Sequence, residues 1–245
     1  MDAKTLSYIE GFYNLIKYNV QENILCFGPI DLPLKIQKEC LPFKWYVWTM
    51  IPTNIVDSNE ITQYITKKEN ANLQYSSVLV YGDFKNSKEA LVRLHSICQT
   101  GDIFHSDKCD CGSQLDQAFQ KIILSQSGAI FYLADHEGRG IGLFNKALTY
   151  ALQQNSFDTL EANVMLGFPE DNRDYSKSAA VLKFLRSKPV KLLTNNPIKT
   201  SELLTNNIEI CEVIPIYGDF SVNNYKYLKT KVEKFDHSFF MGAFE

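Results

Sequence analysis

The chain contains no long hydrophobic run. Its densest apolar stretch, Trp45 to Ile51, falls far short of the about 20 residues that cross a bilayer. The opening Met1-Asp2-Ala3-Lys4 is polar and shows no apolar core ahead of a small-residue cleavage site, so a soluble, cytoplasmic protein without a membrane partner is expected. An excess of basic charge is also lacking: Lys+Arg number 25 against Asp+Glu 28, for a net charge of −3, which argues against nucleic-acid binding by bulk charge. Internal repeats, low-complexity tracts and long charge blocks are missing too. What remains is an ordinary globular balance, 45% apolar and 22% charged, over 245 residues. That length suits one large domain, or one domain with an extension. Six cysteines are present, and a cytoplasmic chain of this size needs no disulfides. Three of them, Cys98, Cys109 and Cys111, crowd into one short stretch.

Residues 1–75 differ in character from the rest and are expected to form an N-terminal extension, with residues 76–245 the main domain. Leu6, Ile9, Tyr13, Ile16 and Val20 recur at helical spacing and predict an amphipathic first helix. Phe43 to Ile51 reads as a strand, and Asp57 to Ser77 as a surface connection or short exposed helix. From Val78 strands and helices alternate. Strands are expected at 78–81, 91–97, 129–133, 190–193 and 208–216, and helices at 115–125, 142–155, 176–186 and from Pro197. Ser176 is a plausible N-cap. This order predicts an α/β layered sandwich with a mixed, largely parallel sheet flanked by helices. Ligands in such sheets bind at the carboxyl ends of strands, and each motif below follows a strand or opens a helix.

Cys98, Cys109 and Cys111 have the spacing C-x10-C-x-C. Thiolates are strong zinc ligands, and three protein ligands with one open position is the pattern of catalytic zinc, which activates water near neutral pH. Asp102, His105, Asp107 and Asp110 compete for the fourth place; unrelated cysteines or a disulfide are the alternatives. Glu137-Gly138-Arg139-Gly140-Ile141-Gly142 joins a strand to a helix and suits either a phosphate cradle or a plain turn. Asp171-Asn172-Arg173-Asp174 pairs carboxylates with a cation, as a surface cluster or as a base beside an anion binder. Thr194-Asn195-Asn196-Pro197 with Lys199 caps a helix, a role compatible with phosphate binding.

Together these motifs resemble the GTP cyclohydrolase II family. The resemblance rests on Arg93-Leu-His95-Ser96-x-Cys98-x-Thr100-Gly101-Asp102, Cys109-Asp110-Cys111-Gly112-x-Gln114, Glu137 to Leu143, and Tyr150-Ala151-Leu152-Gln153. It continues through Asp158-Thr159-x-Glu161-Ala162-Asn163, Leu166-Gly167-Phe168, Asp171-x-Arg173-Asp174 and Leu192 to Pro197, and closes on Tyr227-Leu228-x-Thr230-Lys231 with Lys234 and His237. The cover runs from about Val78 to His237.

The resemblance implies an enzyme that opens the imidazole ring of GTP, releases formate and pyrophosphate, and yields a 2,5-diamino-6-ribosylamino-pyrimidinone 5′-phosphate, the first step of riboflavin biosynthesis. It implies Zn²⁺ on Cys98, Cys109 and Cys111, Mg²⁺ with the triphosphate, and a homodimer. Asp171 would be the general base and Tyr150 would assist proton transfer. Arg173 would act at the α-phosphorus; because arginine stays protonated, it suits electrostatic stabilisation better than nucleophilic attack. Arg93, His95, Ser96, Arg139, Thr194 and Lys199 would hold the triphosphate. Gln114, Thr159, Glu137 and Gly138 match substrate-binding positions, and Glu161 would read guanine. Three positions depart from the family: Ile97 replaces the glutamate before Cys98, His136 a glutamine, and Lys108 an arginine. They leave room for a paralogue that acts on GTP but makes another product, such as a formylated intermediate. Residues 1–75 are too short for the family's frequent fusion partner.

Overall fold

In the computed structural model, which describes residues 3–67, 70, 75–155 and 157–235, α1 (Ala3–Ile9) precedes three strands, β1 (Tyr13–Lys17), β2 (Glu22–Ile36) and β3 (Glu39–Pro52). The chain continues through α2 (Ser58–Ile65), β4 (Ser76–Gly82), β5 (Leu91–Ser96), α3 (Cys111–Ser125), β6 (Ser127–Leu133), α4 (Leu143–Gln153) and α5 (Thr159–Met165). It ends with α6 (Ser176–Leu185), β7 (Val190–Leu193), α7 (Pro197–Thr205), β8 (Ile210–Ile214) and α8 (Tyr225–Phe235). The strands form one mixed sheet, in the order β1-β2-β3-β4-β6-β5-β7-β8. β6, β5, β7 and β8 are parallel, and β1 to β4 join them antiparallel through β4 and β6. The N-terminal residues therefore extend the same sheet that carries the motifs.

Helices cover both faces of the parallel part, so β5 is buried on both sides. Val92 and Leu94 face a core shared with Phe131 of β6 and with Ala179, Val181 and Leu182 of α6. Leu91 faces the other way, with Ile130, Leu193 and the α3 residues Ala118 and Ile122. Arg93 and His95 alternate with Leu91 onto the α3 side, and a polar pair is buried there only because partners await it. From β5 the chain adds β6 on one side and β7 on the other, so the strand order reverses at β5. The carboxyl ends of these three strands are the binding position that such a reversal creates.

Three expectations change at this level. The predicted first helix stops at Ile9, and Tyr13 to Lys17 form a strand paired with Asn23 to Phe27. Tyr13, Ile16 and their neighbours suit either periodicity, and the long β2 strand supplies the hydrogen-bonding edge that decides between them. The segment after Asp57 keeps to one of its two expected forms, a short helix, capped by the Asp57 carboxylate accepting from the Asn59 and Glu60 amides. Ser176 is the first helical residue rather than the cap, which is Tyr175. Asp174 accepts the Ser176 amide hydrogen. α5 is an additional short helix, and α3 begins four residues before its expected start, at Cys111 itself.

Trp48 of β3 meets Phe131 of β6 edge-on, with ring centroids 6.0 Å apart, and Phe131 is fully buried. Tyr18 reaches Ser176 of α6 with a 2.6 Å hydrogen bond between hydroxyls. Both contacts tie the N-terminal strands to the parallel half. Phe131→Ala is expected to cost about 3–5 kcal/mol. Urea unfolding followed by tryptophan fluorescence and by far-UV circular dichroism should give one coincident, shifted transition; separate transitions would show that the two halves of the sheet unfold independently.

Candidate functional site

β5 delivers Ser96 to the mouth of a cleft, and two residues later Cys98 enters a π-helical turn, Gln99–Ile103. The turn is held by one buried carboxylate. Asp102 accepts hydrogen bonds from His95 Nε2 at 3.0 Å, from the Cys98 amide at 2.9 Å and from the Tyr132 hydroxyl at 3.0 Å. The tyrosine ring stacks on the His95 ring. Cys109 and Cys111 arrive from the loop that opens α3. All three Sγ atoms lie within 4.8 Å of one another, with Cys98 and Cys109 at 3.6 Å. That separation is far beyond a disulfide bond, and the thiols are free. Gly101 makes the cradle possible, because a Cβ there would stand 2.9 Å from Cys109 Sγ.

Three converging sulfurs in a buried nest fit zinc. The four candidates for a further ligand are otherwise engaged or turned away. Asp102 is committed as above, and Asp110 binds Gln114 Nε2 at 2.6 Å and Lys231 Nζ at 2.5 Å. Asp107 accepts from Asn223, and His105 is exposed. Among the described residues the cluster thus has three protein ligands, the open arrangement. Hydrogen bonds from the Cys109 and Cys111 thiols, helped by Lys146, pull the Cys98 thiol far below its usual range. Cys109 gains from a Cys111 hydrogen bond, but the Cys98 thiolate and burial outweigh it and push its thiol up to about 11.

The turn after β6 supplies the second wall. Gly138, Arg139 and Gly140 all have positive φ, at 60°, 63° and 87°. At Gly140 a side chain would also strike the Asn172 carbonyl oxygen, 2.9 Å from an added Cβ. Asn172 in return donates its amide hydrogen to the Arg139 carbonyl at 3.0 Å. This clamp brings Arg173 beside the turn. Arg173 donates its Nε to Asp171 Oδ1 at 2.8 Å, its Nη2 to Oδ2, and its Nη1 to Ser96 Oγ at 3.4 Å. Burial opposes the Arg173 charge, but Tyr175 and the Asp171 carboxylate outweigh burial and raise its pKa. Past the end of β7, Asn196 caps α7 and Thr194 accepts the Asn196 amide hydrogen, while Lys199 in the first turn donates to the Leu94 carbonyl at 2.7 Å. Burial, with Arg93, Arg173 and Lys231 nearby, drives the Lys199 pKa well down, and an incoming anion would favour its charged form.

The cleft enclosed by these walls has about 1120 Å³ of empty space, counted out to solvent. Seven lysine and arginine side chains line it against one carboxylate, that of Glu137. In a chain of net charge −3, this is a concentrated anion site. Of the expected site residues, the cleft is lined by Arg93, His95, Ser96, Gln114, Glu137, Gly138, Arg139, Tyr150, Thr159, Arg173, Thr194 and Lys199 together with the three cysteines.

Two expected residues stand outside the lining. Asp171 sits behind Arg173, its carboxylate spent on that side chain. Glu161 is exposed and accepts the Asp158 amide hydrogen at 2.9 Å in a capping box. It therefore faces its own helix N-terminus rather than the cleft. One turn on from Thr159, Asn163 faces inward instead: it is 2% exposed, lines the cleft, and its Nδ2 has no partner. Glu137, though in the lining, gives both carboxylate oxygens to protein donors. Lys146 and Asn163 carried no expected role. The signal available was helical spacing, since each lies four residues from a site residue, Tyr150 or Thr159. His237 lies outside the described residues.

A three-thiol nest fit to hold a metal ion thus stands beside a cationic cleft at the carboxyl ends of the parallel strands of an α/β sheet. The family model for GTP cyclohydrolase II matches residues 46–215, and the chain belongs to that family. Among curated proteins, it is 40% identical over 220 residues to a riboflavin biosynthesis protein of Vibrio vulnificus, covering 90% of this chain and 56% of that one. It is 45% identical over 173 residues to GTP cyclohydrolase-2 of Buchnera aphidicola subsp. Schizaphis graminum, covering 71% and 88%. With riboflavin biosynthesis protein RibBA of Cytophaga hutchinsonii the identity is 40% over 188 residues, covering 77% and 45%. The chain thus spans about half the length of the first and third relatives and most of the second.

His136, one of the departures, is buried in this site. Its Nε2 donates to the Asp174 carbonyl at 3.0 Å and its Nδ1 accepts from Ser96 Oγ at 3.2 Å. Burial pushes its pKa down to about 4, against the pull of Asp135 and the Asp174 carbonyl. The unfolded chain takes up this proton near pH 6.5, the folded chain only near 4. Folding stability from this group is therefore whole above pH 6.5 and lost as pH falls through 4. A glutamine offers the same donor and acceptor without titrating. His136→Gln should lose less stability than the native chain between pH 7 and 4, by up to about 3 kcal/mol. Urea midpoints across that range would check it, and parallel profiles would refute it.

Proposed function

We propose that this protein opens the imidazole ring of GTP and releases formate and pyrophosphate, leaving the 2,5-diamino-6-ribosylamino-pyrimidinone 5′-phosphate that begins riboflavin biosynthesis. The observation that carries the reading is the meeting of the three-cysteine nest and the cationic wall in one cleft, in a chain of the GTP cyclohydrolase II family. Zinc held by Cys98, Cys109 and Cys111 would supply a Lewis acid and acidify water beside the purine C8. Magnesium would travel with the triphosphate. A homodimer in the cytoplasm completes the reading.

The chain's own residues divide the remaining work. Arg93, His95, Ser96, Arg139, Thr194 and Lys199 receive the triphosphate, in a pocket where burial strengthens each charge–charge contact. Arg173 stabilises the negative charge that grows at the α-phosphorus as pyrophosphate leaves. Asp171 orients that guanidinium through two hydrogen bonds; burial raises its pKa but the Arg173 bonds outweigh this and lower it, which makes it a fixed counter-charge more than a strong base. Tyr150 stands 3.3 Å from Thr100 Oγ1, next to Cys98. Burial raises its pKa, so it holds a proton that it can lend near the reacting carbon. Asn163 takes the base-reading role expected of Glu161, its unpartnered amide offering a donor to the guanine carbonyl.

Purified protein with GTP, Zn²⁺ and Mg²⁺ should give formate, pyrophosphate and the pyrimidinone phosphate by mass spectrometry, and Cys109→Ser should lose zinc and turnover together. Pyrophosphate with a formylated nucleotide would instead mark a changed product, and GTP left intact by zinc-loaded protein would refute the reaction. Asn163→Leu should lower kcat/KM for GTP by about 10- to 100-fold, the value of one lost hydrogen bond. Steady-state kinetics showing a larger loss in Glu161→Gln would return the base-reading role to the glutamate.

A further inference from the structure

Lys146 has no task in the reaction outlined above, yet it is 8% exposed. Its Nζ lies 3.1 Å from Cys98 Sγ and 2.7 Å from Glu137 Oε1. Glu137 is itself fixed: its Oε2 accepts the Gln99 amide hydrogen at 2.7 Å and its Oε1 the Gly138 amide hydrogen at 3.2 Å. The ammonium is thus held between one sulfur of the three-cysteine nest and a carboxylate anchored to both walls of the cleft. A buried lysine needs such partners, and its fixed position lets it act on the sulfur rather than on solvent.

We propose that Lys146, oriented by Glu137, is a positioning residue for the three-cysteine centre: its charge balances the Cys98 thiolate and sets how firmly, and with how much sulfur donation, the centre holds its metal. The proposal rests on the zinc reading above. Three thiolates around a divalent ion leave one net negative charge in a buried site. A cationic hydrogen bond to one sulfur offsets that charge and draws electron density away from the metal. Outer-shell contacts of this kind change metal affinity by about 10- to 100-fold. Glu137 tempers the effect, because it shares the same ammonium. It is a positioning residue too, and this is the use its carboxylate finds in place of the substrate contact expected from the sequence.

The test uses the full chain loaded with Co²⁺, whose thiolate charge-transfer band reports sulfur donation, together with zinc competition against a chelator. The unaltered chain should show the band and retain zinc. Lys146→Met should bind zinc at least 10-fold more weakly and move the band to longer wavelength, while Lys146→Arg should restore both in part. Glu137→Gln, which frees the ammonium for the sulfur, should move the band to shorter wavelength. That opposite shift keeps the proposal testable should Lys146→Met fail to fold. Equal zinc affinity and an unmoved band in these variants would overturn the role of Lys146 and leave the zinc reading standing. A native chain with no thiolate band would overturn the zinc reading itself.

Discussion

Asp102 accepts three hydrogen bonds, and the cleft is assembled around them. One comes from His95 at the end of β5, one from Tyr132 on β6, and one from the backbone of Cys98, the first sulfur of the nest. Two neighbouring parallel strands and the metal loop are thereby fixed to the same pair of oxygens. The other ring nitrogen of His95, Nδ1, is buried with no protein partner, and the carboxylate decides which nitrogen that is. Without this contact the turn at Gly101 would be a loose excursion after a strand, and Cys98 would have no fixed relation to Cys109 and Cys111.

The same economy repeats around the cleft. Each buried carboxylate is paired with a group it holds in place: Glu137 with Lys146, Asp171 with Arg173, Asp110 with Lys231 and, through Gln114, with Arg93. The oxygens of these carboxylates accept from protein donors. They explain how seven cationic side chains can line one cavity without forcing it apart. Lys199 marks the other side of the balance. Its ammonium has a carbonyl for support and three cations around it, so its charge is stabilised fully only when an anion arrives.

Local features were legible in the sequence, and paired ones were not. The C-x10-C-x-C spacing announced a metal nest because the three sulfurs come from two loops close in sequence. The strand–helix alternation from Val78 announced the parallel half because each element carries its own periodicity. Tyr13 to Lys17 misled, since the same side chains satisfy a helix or a strand until β2 is present to pair with them. Glu161 is a different case: Asp158-x-x-Glu161 is a capping-box pattern, and in the folded chain its carboxylate accepts the Asp158 amide hydrogen. Lys146 could not be found from spacing alone, because its partner Cys98 lies 48 residues away in sequence and meets it only after α4 folds back on the turn that follows β6.

The N-terminal strands follow from the same constraint that makes β4 an awkward terminus for the sheet. Beyond β6 the parallel half would expose the edge of β4 and the apolar face of Phe131, and an open edge of that kind invites pairing with other chains. β3 covers that edge, Trp48 covers the ring of Phe131, and β2 and β1 carry the sheet outward to a short strand. The Vibrio alignment covers 90% of the chain, a share that reaches ahead of residue 46 where the family match begins. At least most of β2 and the start of β3 are therefore part of what the two proteins have in common. The contribution of the N-terminal strands to the site is indirect: they bury the back of β6 at Phe131, whose neighbour Tyr132 reaches Asp102 and so holds the first sulfur in position.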